Sequence, residues 1–145
     1  VTVLAALELG RRRHAATLLN KPMIRTSNDI GEYLRTLLKD YNHEVFAIVY
    51  LNRSNKINNV EILSRGGITS TVVDPRIVLK KALEAKATGI VLSHNHPSGS
   101  TKPSRADEEI TQKIKQAASY FDIRVLDHII VSEEGYFSFA DEGLL

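Results

Sequence analysis

The 145-residue chain contains no cysteine. That excludes disulfides, a thiol nucleophile, iron–sulfur clusters and every zinc site built on thiolates. Any metal must be held by His, Asp and Glu. Long apolar runs are also missing. The longest span about seven to nine residues, against the roughly 20 needed to cross a bilayer. The opening VTVLAALELGRRR puts its charges after the apolar run, the reverse of a signal peptide. A cytoplasmic address with no membrane partner is therefore expected. Charge of one sign is scarce too: 19 Lys+Arg against 17 Asp+Glu leave a net +2. The distribution is uneven, because Arg11, Arg12, Arg13, Lys21 and Arg25 against Glu8 give residues 1–25 a net +4 and leave −2 on the rest. A basic end on a near-neutral body hints at an acidic partner but is not a DNA-binding signature. The chain shows neither an internal repeat nor a low-complexity tract.

What is present is the profile of one folded domain, with 43% apolar and 25% charged residues. Val3, Leu4, Leu7, Ala15, Leu18 and Leu19 have helical spacing over 1–19, and Pro22 ends that pattern. The chain begins inside this helix at Val1 rather than at Met, so a fragment of a longer protein is expected. Ser27 or Asn28 can cap a second helix running to about Tyr41. Val45–Leu51 is apolar on both alternating faces, the pattern of a central strand. A turn at Asn52–Asn55 leads to a strand over Ile57–Leu63, broken at Gly66-Gly67. Asp74-Pro75 starts a helix to about Lys86, which Gly89 can close in the left-handed conformation. A short strand, Ile90–Ser93, a loop over Asn95–Pro103 and a helix from Ser104 to about Phe121 follow. Strands over Arg124–Val131 and Tyr136–Phe139 close the chain. Helices and strands mixed in this order predict an α/β or α+β sandwich with a mixed sheet.

The chemistry gathers after the third strand. His94 and His96 lie at i and i+2, so an extended chain presents both imidazoles on one side. Strand ends of this kind favour ligands. Without cysteine, His is the natural zinc donor. Asp107 falls in the first turn of the next helix and Ser104 stands at its start. That pair also reads as a capping box, and the two roles are compatible. A third His/Asp ligand would complete three protein donors and leave the fourth position for water, the mark of a catalytic site. Such a site needs a base, and Glu44, at the entry of the central strand, is the candidate. His14 and His43 read as solvated side chains. Asp127-His128 interrupts an apolar strand, and His128 is open to a structural hydrogen-bonding role or to support of an active site.

Glu44, His94-x-His96, then seven intervening residues, Ser104, two more residues and Asp107 match the pattern of the JAMM zinc hydrolases. With this chain's His, Ser and Asp content, a chance match to the four spaced positions is on the order of one in two thousand. The match narrows further. HNHPSG at 94–99, PSRAD at 103–107, DPR at 74–76 and LDHIIV at 126–131 resemble the bacterial RadC family over roughly residues 25–145. ELGRR at 8–12 resembles the end of the helix-hairpin-helix region that precedes the catalytic domain there. Residues 1–24 are thus expected to be a helical remnant, and 25–145 the JAB/MPN metal-hydrolase domain. Asn95 stands between the histidines where JAMM enzymes usually place Ser or Thr, a feature shared by RadC-like chains.

The resemblance implies a cytidine deaminase-like α-β-α sandwich. Deaminases of that fold use Cys ligands, so deamination is excluded by composition. It also implies Zn²⁺ on His94, His96 and Asp107. Glu44 would take a proton from the attacking water and pass it to the leaving amine, while Ser104 would hydrogen-bond the oxyanion or that water. The activity implied is that of a zinc metallopeptidase or isopeptidase acting on a peptide or protein substrate. Two other readings stand beside it: a non-catalytic, DNA-repair-associated or nucleic-acid adaptor module, and a metal-dependent nuclease.

Overall fold

The computed structural model describes residues 2–9, 21–65 and 73–145. The expected helix beyond residue 9, Arg11–Arg13, His14 and the Gly66-Gly67 break lie outside the described residues. Among those described, helix α1 spans 2–9 and α2 spans Ser27–Leu38. Strands β1 (Val45–Leu51) and β2 (Ile57–Arg65) follow, then α3 (Pro75–Glu84), β3 (Gly89–Asn95), α4 (Arg105–Ser119), β4 (Arg124–Val131) and β5 (Tyr136–Ser138). The element order is the one expected. Helix α2 lies on one face and α3 and α4 on the other of one five-stranded mixed sheet, ordered β2-β1-β3-β4-β5. Only β3 and β4 run parallel, and they are joined through α4 as parallel neighbours require.

The uninterrupted apolar run of β1 is explained by what covers each face. Phe46, Ile48 and Tyr50 pack with Ile90 and Leu92 of β3 under α3 and α4, through Val78, Ala82, Ile114 and Ala118. Val45, Ala47, Val49 and Leu51 pack with Val91, Ile129 and Val131 under Ile30, Leu34 and Leu38 of α2. All seven residues of β1 are buried. A strand buried on both faces carries no polar alternation.

Local chemistry moved several expected boundaries. Thr26, not Ser27 or Asn28, caps α2, because Thr26 and Asp29 form a reciprocal capping box. Helix α3 ends two residues early, and Lys86 (φ 52°) takes the left-handed turn expected of Gly89. Gly89 instead opens β3, where a Cβ would stand 3.0 Å from Leu126 Cδ1. β3 extends to Asn95, so His94 belongs to the strand rather than to the loop after it.

Gly31 on α2 lies against the ring of Tyr136, where a Cβ would come within 2.7 Å of Cδ1. Gly31→Ala must displace either that ring or the helix. It is expected to cost about 1–3 kcal/mol, read as a lowered midpoint in urea unfolding.

Candidate metal centre

β3 delivers the first two residues. His94 pairs with Phe46 of β1, and its ring stacks on the Phe46 ring at 6.0 Å with planes 6° apart. His94 is 1% exposed. His96 lies just past the strand, where its backbone N–H still donates to the Val131 carbonyl at 2.8 Å. The two Nε2 atoms are 2.9 Å apart. His96 Nδ1 lies 2.7 Å from the Ser100 carbonyl oxygen, which can only accept. Nδ1 therefore carries the ring proton, and Nε2 presents its lone pair.

The third residue comes from the start of α4. Ser104 caps that helix: its Oγ accepts from the Asp107 backbone N–H, and Asp107 Oδ2 accepts from the Ser104 N–H. The Ser104 hydroxyl also donates to Asp107 Oδ2 at 2.7 Å. With Oδ2 held in this way, Oδ1 points to His94 Nε2 at 3.2 Å. Capping and site assembly thus coexist. Ser104 acts on the site through Asp107, and its single hydroxyl proton is committed there. Burial alone would raise the Asp107 carboxyl, but its contact with His94 and the two Ser104 donors outweigh burial and hold the group well below the usual carboxylate range.

One ligand atom from each of His94, His96 and Asp107 lies within 4.8 Å of the others. The lone pair of His96, the ionised Asp107 carboxylate and a buried imidazole suit a divalent cation of borderline softness. The donor set fits a metal ion.

Glu44 is half-buried and immediately precedes β1. Because Phe46 pairs with His94, continuing the antiparallel register sets Glu44 opposite His96 on the face that carries both histidines. Asn95 fixes this entry. Its Oδ1 accepts from the Val45 N–H at 2.7 Å, and its Nδ2 donates to the His43 carbonyl at 3.0 Å. The side chain thus grips the backbone on both sides of Glu44. The sequence offered Asn95 only as a departure from the Ser or Thr of JAMM enzymes. Its amide, longer than a hydroxyl side chain, reaches from β3 to the backbone at and just before the start of β1. Asn95→Ala is expected to strand the buried Val45 N–H and lower stability by about 1–3 kcal/mol in chemical unfolding, and Asn95→Ser should not restore it.

His128 lies behind the ligands. A bulge in β4 lets Val91 pair with Asp127 although Ile90 pairs with Val125. The extra residue turns His128 onto the His94 face. Its ring packs on Phe139 at 4.6 Å and against Phe46 at 5.7 Å. Nε2 sits 2.9 Å from His94 Nδ1, and Nδ1 sits 2.6 Å from Thr111 Oγ1. Burial, reinforced by His94, drives the His128 pKa well below the ordinary imidazole value. Thr111 escaped the sequence reading, although its place one helical turn after Asp107 was a usable signal. His43 is exposed at the turn, as expected. Asp127 faces away, accepting from Ser138 Oγ at 2.6 Å and the Ala140 N–H at 3.0 Å.

A cleft of about 570 Å³ opens at the same end of the sheet but on the α2 side, lined by Arg35, Lys39, Tyr41, Asn95, His96 and Val131. Of the three ligand residues it touches only His96. No helix among the described residues is long and apolar enough to cross a membrane.

The family model described as a RadC-like JAB domain matches residues 24–144. A UPF0758 protein of Flavobacterium johnsoniae is 46% identical over 144 residues, covering 99% of this chain and 63% of that protein. One of Leptothrix cholodnii is 45% identical over 141 residues, covering 97% of this chain and 64% of that protein. One of Porphyromonas gingivalis is 42% identical over 146 residues, covering 100% and 64%. The chain thus spans less than two thirds of the length of these relatives. The HNH segment at the end of β3, the capped Asp107 and the α-β-α frame around them agree with this likeness, and the chain belongs to the RadC-like JAB domain family.

Proposed function

We propose that the chain is a zinc-dependent hydrolase, a metallopeptidase or isopeptidase cleaving an amide in a peptide or protein substrate. The observation that carries this reading is the convergence of His94, His96 and Asp107 ligand atoms within 4.8 Å, on the face of the sheet that Glu44 enters. His94 Nε2, His96 Nε2 and Asp107 Oδ1 would hold the ion. When bound, Zn²⁺ supplies a water acidified to a pKa of about 7 and polarises a carbonyl oxygen.

The remaining roles belong to the chain itself. Glu44 would receive a proton at its carboxylate and return it to a departing amine. Ser104 holds Asp107 Oδ2 by two donors, so Oδ1 stays free to face the ion. To serve a developing oxyanion as well, the Ser104 hydroxyl must turn away from Asp107, leaving the backbone N–H to hold Oδ2 alone. A polypeptide substrate would approach His96 from the cleft on the α2 side.

Metal content by elemental analysis, followed by a peptide-library cleavage screen with Glu44→Gln as the control, tests this reading. One zinc per chain and cleavage that disappears in the control are expected. Protein that takes up no zinc, or cleavage equal in both proteins, would end it.

A further inference from the structure

We infer that Thr111 and His128 are positioning residues that set the tautomer of His94, so that its Nε2 lone pair faces the ion. The inference rests on the metal-site reading above and follows from the direction each hydrogen bond must take.

The chain of bonds starts at an atom that cannot donate. Thr111 Oγ1 lies 2.5 Å from the Asp107 carbonyl oxygen. A carbonyl only accepts, so the single hydroxyl proton of Thr111 points there. Thr111 Oγ1 then has only lone pairs to offer His128 Nδ1, 2.6 Å away, and that nitrogen must carry the proton. His128 is enclosed by the Phe46 and Phe139 rings and is fully buried, an environment in which imidazole holds one proton. Its Nε2 is therefore the acceptor, and His94 Nδ1, 2.9 Å away, donates to it. With its ring proton on Nδ1, His94 turns a bare Nε2 toward His96 and Asp107.

The consequence at the centre is electrostatic. His96 Nε2 is also bare, because the Ser100 carbonyl fixes its proton on Nδ1. Two lone pairs 2.9 Å apart, with a carboxylate oxygen 3.2 Å from one of them, repel until a cation stands among them. The relay thus keeps a ring proton from filling the ion's place. It also runs in a loop: it begins at the backbone carbonyl of Asp107, whose own side chain is the third ligand. Outer partners of this kind commonly tune metal affinity by 10–100-fold.

Zinc affinity by competition with a chromophoric chelator, for the full chain and for Thr111→Val and Thr111→Ser, tests the relay. The valine keeps the shape and loses the acceptor, so affinity should fall about tenfold or more, with the serine variant close to the original. Ring-nitrogen NMR on the zinc-free protein at about pH 8.5, roughly two units above the ordinary imidazole value, should show protons on Nδ1 of both His94 and His128. Unchanged affinity in Thr111→Val, or a lower melting temperature with unchanged affinity, overturns the relay and leaves Thr111 a packing role. A proton on His128 Nε2 overturns it as well, and that measurement decides if Thr111→Val does not fold. Failure of the unsubstituted protein to bind zinc would sink the metal reading instead, with the tautomers still read independently.

Discussion

Glu44→Gln is expected to remove amide hydrolysis, by about 10²–10⁴-fold, while leaving metal affinity within a few-fold of the original. The asymmetry follows from position. Glu44 sits on the strand-entry side of the site, and the three converging ligand atoms belong to other residues. Glutamine keeps the size and the hydrogen-bonding reach of the side chain and removes only its ability to take a proton. The backbone grip of Asn95 on His43 and Val45 is untouched by the change. Steady-state cleavage of a peptide found in the library screen, alongside chelator competition for zinc, reads both quantities. Equal loss of activity and of zinc would instead make Glu44 a ligand or a structural residue.

The opposite pattern is expected for His94→Ala. Zinc affinity should fall by more than about 100-fold, beyond the range commonly seen for outer partners, because an inner ligand disappears. Stability should fall too. His94 is buried against Phe46, and its removal leaves His128 Nε2 without its donor in a closed apolar surround. An unpaired buried polar group costs about 1–3 kcal/mol, and the space left by the ring adds to that. Metal content and thermal unfolding of the zinc-free forms separate the two losses. Stoichiometric zinc in His94→Ala would show that the ion is held elsewhere.

How far the sequence could be read depended on the distance between cause and effect along the chain. The double-sided apolar run of β1, the Asp74-Pro75 helix start and the Ser104–Asp107 pair each act within a few residues, and each stands where expected. The JAMM-like spacing identified His94, His96 and Asp107 as a group, and the structure brings them together. Effects that cross the sheet were hidden. Nothing near Asn95 in sequence reveals that its amide ties down residues 50 or more positions earlier. His128 was recognised as out of place in an apolar strand, but its partner 34 residues away was not visible. The β4 bulge that aims it leaves no mark of its own in the sequence. The left-handed turn after α3 fell to Lys86 because the tight fit beside Leu126 already required Gly89 three residues later.

The positions of His96 and Asp107 have a consequence for the chain between them. Residues 97–106 leave the sheet beside one ligand and return at the other, across Pro97-Ser98-Gly99 and up to the cap of α4. An ion bound to both ends closes this ten-residue segment into a ring. Such an ion would act as a crosslink as well as a Lewis acid, lowering the conformational entropy of the segment in the bound state. Part of the intrinsic binding free energy goes into that ordering, so affinity reports the stiffness of the loop together with the quality of the ligands. Substitutions at Pro97, Gly99 or Pro103 would then tune how firmly the ion is held without touching any atom that binds it.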